Sequence, residues 1–398
     1  MISNLLSGVL TLPTWLQIIL YIVFIIGGML GLIKGADAFV SGASGIAKKL
    51  KVPAIIIGLT IVSIGTSLPE ASVSISGAIQ GSADISIGNI VGSNMFNLLI
   101  VLGFSLVFVP IALNKKLVLK DIMLMLLSSI LLLIFTLFGN GENGYILSRI
   151  ECGILFTIFV AYIVYSIIEA RQANKVATAT AKPQPTLNKQ NSPTPNAQNE
   201  AQLNVQNKTT LTAKNAVKNC KIAKDNASEN ATVEKLNQQT STGENKMSKN
   251  IICLILGLLG IVIGGDFVVF GAQNFAIKVG MSEILVGLTI VAIGTSLPEL
   301  VTSIVAARKG ENDIALGNVI GSNIFNVLFI LGLTGLITPL AVSANALIDI
   351  VIMLCVFVAF IAFALLKNKL PKYLGYIMIT SYAIYLTYII LRDFVLIA

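Results

Sequence analysis

The sequence predicts an all-α membrane protein with ten transmembrane helices in two inverted five-helix repeats. Three observations carry that expectation. Of 398 residues only 12% are charged and 55% are hydrophobic, with a mean hydropathy of +0.86, whereas a soluble domain carries about 25% charged residues. The apolar residues fall into blocks of about 20, the length that crosses a bilayer core of about 30 Å. One block of 46 residues recurs in the second half of the chain with 28 identities.

In order, the spans are expected at about 14–34, 54–79, 86–109, 118–138, 147–169, 250–275, 283–307, 314–337, 345–366 and 372–396. The first block, Trp15 to Ile33, lacks the basic start and small-residue cleavage site of a signal peptide, so it reads as a retained helix. Between the fifth and sixth spans, residues 171–249 are rich in Asn, Gln, Thr, Ser and Lys and hold no aromatic residue. Such a segment cannot bury enough apolar surface to offset its ordering entropy, so it is expected to be disordered. The chain therefore divides into a first five-helix repeat (1–170), the disordered loop (171–249) and a second, inverted repeat (250–398).

Charge sets the orientation. The loop holds 12 Lys/Arg against 5 Asp/Glu, nearly the whole formal charge of +8. A basic excess confined to one polar loop beside apolar spans points to a membrane surface and away from nucleic acid. With the N-terminus outside, twelve basic residues of short loops fall inside, among them Lys48, Lys49, Lys115, Arg308 and Lys309; only Arg149, Lys278 and Arg392 lie at outer ends. The bias puts both termini outside the cell membrane and the long loop in the cytoplasm. The sequons at Asn207, Asn226 and Asn230 would then never meet a glycosylation machinery.

Residues 58–103 and 287–332 align without a gap at an offset of 229, and the matches include Gly, Pro, Thr, Ser, Asn, Asp and Glu. Shared apolar composition cannot produce that. The same offset pairs Gly35 with Gly264, Asp37 with Asp266 and Gly42 with Gly271. An odd number of spans per half makes the second half enter from the opposite side, the arrangement of many secondary transporters, whose sites lie near the midplane.

Within G-T-S-L-P-E, Ser63, Thr66, Ser67 and Glu70 share one helix face, as do Ala292, Thr295, Ser296 and Glu299. A carboxylate deep in a span is costly and marks a functional candidate. Pro69 and Pro298 lack an N–H and free the carbonyls of Gly65 and Gly294. In the next spans Asn89, Ser93 and Asn97, and again Asn318, Ser322 and Asn326, form polar stripes. These are hard oxygen donors, suited to Na⁺ and Ca²⁺ and poorly to soft metals. Two glutamates give a formal charge of −2, which one Ca²⁺ or two Na⁺ neutralise. Asp84 and Asp313 look like helix N-caps, Asp37 and Asp266 like helix-end or gate contacts, and Asn94 and Asn323 like interhelical bonding groups.

The two G-T-S-L-P-E and G-S-N-x-F-N blocks resemble the alpha repeats of the cation/calcium exchanger superfamily, in its prokaryotic sodium/calcium exchanger branch. The resemblance implies that Glu70 and Glu299 bind calcium and sodium. It adds as ligands Thr66, Ser67, Thr295 and Ser296, the carbonyls of Ser63 and Ala292, and Ser93, Asn97, Ser322 and Asn326. It implies electrogenic, sodium-driven calcium extrusion by alternating access, the first and sixth helices sliding over a static core. Relatives with potassium coupling carry aspartate where this chain has Asn326, which argues against potassium. The calcium/proton branch resembles G-N-x-x-E, whereas Gly88-Asn89 and Gly317-Asn318 are followed here by Ile-Val-Gly and Val-Ile-Gly; calcium/proton exchange is the alternative. The loop is too short and polar for calcium-sensing β-domains.

With no histidine, His-based zinc sites and His general bases are excluded, and no nucleophile–base pair or phosphate loop supports an enzyme. The cysteines Cys152, Cys220, Cys253 and Cys355 form no C-x-x-C pair or disulfide framework. The expected partners are calcium and sodium ions and the lipid bilayer. No cofactor beyond the transported ions, no nucleic acid and no obligate protein partner is expected.

Overall fold

The computed structural model describes residues 9, 12–79, 83–113, 115–141, 144–180, 247–279, 292–367 and 369–397. The first half runs α1 (Thr14–Leu50), the broken pair α2 (Ala54–Thr66) and α3 (Leu68–Ile79), α4 (83–108), α5 (Lys115–Phe138) and α6 (Arg149–Thr180). The second runs α7 (Met247–Lys278), α8 (Ala292–Thr295), α9 (Leu297–Arg308), α10 (Asn312–Ile337), α11 (Ala344–Leu366) and α12 (Lys372–Ile397). Among the described residues, eight helices are long and apolar enough to cross a membrane, and the pair α2–α3, bent by 48°, passes the same test only when taken as one broken span. Of the expected seventh span, α8 and α9 are described, while 283–291 lies outside the described residues. The fold is that of an all-α membrane protein.

The segment expected to be unstructured is helical at both edges, because α6 continues to Thr180 and α7 begins at Met247. Its remainder, 181–246, lies outside the described residues together with the three sequons and Cys220. Helix α1 also outruns its expected end at 34. Residues 35–50 are rich in Gly, Ala and Ser, so their hydropathy is low, but Phe39, Val40, Ala43 and Ala47 are buried. The helix stops at Lys51, whose φ of 53° is left-handed, and the Val52 N–H returns 3.0 Å to the Ala47 carbonyl, a Schellman-type cap.

Helices α1 and α7 cross antiparallel. Gly28 meets Gly264, Gly35 meets Gly257, Gly42 meets Asn250, and Tyr21 meets Gly271. Adding 229 to a position in α1, and subtracting it from its partner, turns the first of these contacts into the second and the third into the fourth. The crossing therefore carries the pseudo-twofold relation that the repeat implied. A methyl group on Gly264 would sit 2.6 Å from the Leu32 amide nitrogen, so backbone meets backbone through small residues, the usual device of intramembrane packing.

Burial separates two layers. The most apolar 18-residue windows of α4 and α10 are 83% and 78% buried, those of α1 and α7 only 22% and 28%. Thus α4 and α10 form the centre and the α1–α7 pair an outer layer with its own apolar cluster, Leu32, Phe39, Val62, Ile261 and Ala306 among it. Outward, α1 shows Trp15, Ile22, Val23, Ile26 and Leu30, and α7 shows Ile252, Ile255 and Leu256. Exposed apolar stripes of this length suit lipid, not water.

Short antiparallel strands join loops. Strand β1 (Ile111–Ala112) pairs with β5 (Lys369–Leu370), while β2 (Asn140–Gly141), β3 (Gly144–Leu147) and β4 (Leu340–Val342) form a three-stranded sheet with Tyr145 opposite Val342. Near the turn between α9 and α10, Lys309 Nζ bonds Asp37 Oδ1 at 2.8 Å, the Asp37 carbonyl at 2.7 Å and Ser41 Oγ at 2.7 Å. Lys48 pairs with Glu311 at 3.2 Å, and Ser44 donates to the same carboxylate. These bonds tie α1 to the inner layer at one end. Glu311, not Asp313, occupies the N-cap position of α10, and Asp84 likewise falls inside the first turn of α4. The N-cap expectation for both aspartates is corrected, since each sits within a helix.

Candidate cation site

Each G-T-S-L-P-E segment breaks at its second hydroxyl. Proline cannot return a hydrogen bond to the glycine four residues back, and the chain turns there. Ser67 sits at φ −88°, ψ 10° and Ser296 at φ −93°, ψ 6°, the sparsely allowed bridge region. The turns send both hydroxyls across to the opposite repeat. Ser67 donates to Glu299 Oε1 at 2.8 Å, and Ser296 donates to Glu70 Oε1 at 2.9 Å. Ser67 also lies 3.0 Å from Ser322 Oγ, and Ser296 lies 3.2 Å from Ser93 Oγ. Every one of these bonds has its image at the offset of 229.

Amides of the central helices clamp the glutamate helices. Asn89 Nδ2 donates to Ser74 Oγ at 3.0 Å and to the Glu70 carbonyl at 3.3 Å; Asn318 Nδ2 donates to Ser303 Oγ at 2.9 Å and to the Glu299 carbonyl at 3.4 Å. Thr66 Oγ1 is 3.1 Å from Asn318 Oδ1. Ser74 and Ser303 went unnoticed in the sequence, although both stand four residues after a glutamate and match across the repeats.

Glu70, Thr66, Ser67, Asn97, Ser296, Glu299, Ser322 and Asn326 are fully enclosed, and Ser93 and Thr295 nearly so. The Ser63 hydroxyl turns back to the Leu59 carbonyl at 2.8 Å, while the Ser63 carbonyl accepts the Ser67 N–H at 3.1 Å and lies 3.4 Å from the Thr66 hydroxyl. Ala292 opens α8. The stripes continue into π-helical turns at Asn97–Val101 and Phe325–Leu331, a form frequent at functional sites. There Asn326 Nδ2 donates to Asn94 Oδ1 at 3.1 Å, the interhelical role expected of Asn94.

Several buried oxygens have no hydrogen-bond partner among the described residues: Glu70 Oε2, Glu299 Oε2, Asn97 Oδ1 and Asn326 Oδ1. Burying a polar oxygen unpaired costs free energy, so each such group in a native fold calls for an explanation. All four are hard acceptors, the donor type that Na⁺ and Ca²⁺ take. The helix-end expectation for two aspartates is corrected, because both helices run well past them: Asp37 lies inside α1, where it pairs with Lys309, and Asp266 lies inside α7, where it lines a cavity of about 340 Å³ with Pro69, Ser72, Gln273, Thr295 and Pro298.

The family described as sodium/calcium exchanger protein matches residues 20–168 and 249–391. The chain belongs to the sodium/calcium exchanger family. It is a membrane exchanger, a class of transporter. Its relatives in that family include the putative antiporter CaxA of Alkalimonas amylolytica, 33% identical over 88% of this chain and 91% of the relative. The sodium/calcium exchanger MaX1 of Methanosarcina acetivorans is 32% identical over 80% of this chain and 84% of its own. Among solved structures, the sodium-calcium exchanger NCX_Mj soaked with Na⁺ and Sr²⁺ superposes with a TM-score of 0.68 at 26% identity, covering 93% of this chain and 99% of that one.

Proposed function

We propose that this exchanger moves calcium against sodium by alternating access, electrogenically and in the direction of calcium extrusion. Glu70, Glu299, Thr66, Ser67, Thr295, Ser296, Ser93, Asn97, Ser322, Asn326 and the carbonyls of Ser63 and Ala292 are its ion ligands. The observation that carries the reading is the glutamate pair: two enclosed carboxylates, each anchored through Oε1 by a serine of the other repeat, each with Oε2 lacking a hydrogen-bond partner among the described residues. A formal charge of −2 among neutral oxygens is neutralised by one Ca²⁺ or two Na⁺, so the two ions compete for one cage. Electrogenic exchange requires more than two Na⁺ to move for each Ca²⁺.

The layered build supports the transport step. The outer α1–α7 pair meets the centre through an apolar cluster separate from the main core and through ion pairs at one end, so it is the layer proposed to move. The basic loops orient the chain with both termini outside and 181–246 in the cytoplasm. MaX1 and NCX_Mj, both named sodium/calcium exchangers, support the choice of ions.

The test is ⁴⁵Ca²⁺ uptake into proteoliposomes loaded with Na⁺ and diluted into Na⁺-free buffer. Uptake that needs the sodium gradient and charges the membrane is the expected result. Uptake driven by a pH gradient alone would replace this reading with calcium/proton exchange.

A further inference from the structure

An asparagine shows a cation two opposite faces, a carbonyl oxygen that ligates and an NH₂ group that repels. Its orientation therefore decides whether it is a ligand at all. Asn326 stands one turn beyond Ser322, on the stripe that reaches the glutamates, and its amide is held: Nδ2 is bonded to Asn94 Oδ1 at 3.1 Å, leaving Oδ1 without a partner among the described residues. The mirror-related pair differs. Asn323, the image of Asn94, gives its Nδ2 to the Val319 carbonyl of its own helix at 2.9 Å. Neither end of Asn97, the image of Asn326, has a partner among the described residues. All four side chains are fully buried, so bulk solvent does not reach them.

We infer that Asn94 is a positioning residue: by accepting the Asn326 amide hydrogen it turns the Asn326 carbonyl toward the glutamate pair and makes position 326 an oxygen ligand. The inference rests on the ion site proposed above. A bound cation and Asn94 favour the same orientation of Asn326, so each strengthens the other. An aspartate at 326 needs no such guide, because both its terminal atoms are oxygens. The dependence on Asn94 is thus specific to an amide at 326, which a purely structural cross-link is not.

The test is a double-mutant cycle on the full-length protein in Na⁺-free detergent, with Ca²⁺ as the probe, read by equilibrium ⁴⁵Ca²⁺ binding. Asn94→Leu is expected to weaken binding about fivefold or more in the native background, the worth of one hydrogen bond. In the Asn326→Asp background the same change is expected to shift binding by less than about twofold. Asn94→Ala removes the same acceptor and serves as the second variant should the leucine fail to fold. Thermal midpoints measured alongside report the packing cost, which is expected to match in both backgrounds. Equal weakening in the two backgrounds, or none in the native one, would overturn the inference. A Glu70→Gln control that binds Ca²⁺ as tightly as the native protein would instead overturn the ion site itself.

Discussion

Replacing Glu70 by glutamine removes one unit of charge and almost no volume, and the consequence for calcium follows from enclosure. Glu70 and Glu299 both have 0% exposure. With one carboxylate left, a single Ca²⁺ leaves one positive charge uncompensated inside the protein. An unpaired buried charge costs about 3–5 kcal/mol, and each 1.4 kcal/mol is tenfold, so Ca²⁺ binding is expected to weaken by two to nearly four orders of magnitude. Sodium behaves differently, because one Na⁺ neutralises a site of charge −1; Glu70→Gln is expected to retain Na⁺ binding with fewer ions. The cross-repeat bonds at 2.8 and 2.9 Å are images of each other, so Glu299→Gln is expected to match Glu70→Gln within about tenfold. Either change also removes carboxylate–carboxylate repulsion, so the thermal midpoint without ions is expected not to fall, which separates lost binding from misfolding. The assay is ⁴⁵Ca²⁺ equilibrium binding with Na⁺ competition. Native-like Ca²⁺ affinity in either variant would refute the charge argument.

Three further outcomes are expected. Gly264→Val places side-chain atoms against the Leu32 amide and the Gly28 carbonyl; such overpacking costs about 1–3 kcal/mol and is expected to slow ⁴⁵Ca²⁺ exchange while Ca²⁺ binding to the purified protein persists. Lys309→Ala removes the 2.8 Å pair with Asp37, a contact worth up to about 1 kcal/mol. With the native cysteines replaced, a cysteine at position 44 is then expected to react severalfold faster with a water-soluble maleimide, an effect that shrinks at high salt. Deleting residues 185–240, between the helical edges at Thr180 and Met247, is expected to leave sodium-dependent uptake intact.

The site was legible where chemistry repeats against an apolar background. Glu70, Ser67 and Ser93 recur as Glu299, Ser296 and Ser322, and the structure brings all six together. Proline four residues after glycine marks the carbonyls that lose their helical partner, whereas the break at Ser67 and Ser296 within each expected span is seen only in the structure. Helix ends were less legible because hydropathy reports lipid contact, not helicity: residues 35–50 of α1 are too small and polar to read as a span, yet they pack against the second half. The π-helical turns at Asn97–Val101 and Phe325–Leu331 leave no mark in composition. Asn94 was read as a bonding group, but its partner Asn326 lies 232 positions away, a pairing that no local pattern encodes.

The ties between α1 and the turn after α9 have a further consequence. The offset that duplicates the site maps Lys309 and Glu311 onto Gln80 and Ser82, and Lys48 onto Ile277. The halves are near-copies in the interior and unlike at the ends, so the ion pairs at one mouth cannot form at the other. Two perfect copies would leave an exchanger poised evenly between its two postures. Here the Lys309–Asp37 and Lys48–Glu311 pairs each include a residue type that the repeat does not copy, and exposed charges of this kind feel the surrounding salt within a Debye length of about 8 Å at physiological strength. If the chain alternates as proposed, the resting balance between its postures is expected to depend on the medium as much as on the ions, and to be adjustable at these ends without touching the enclosed glutamates.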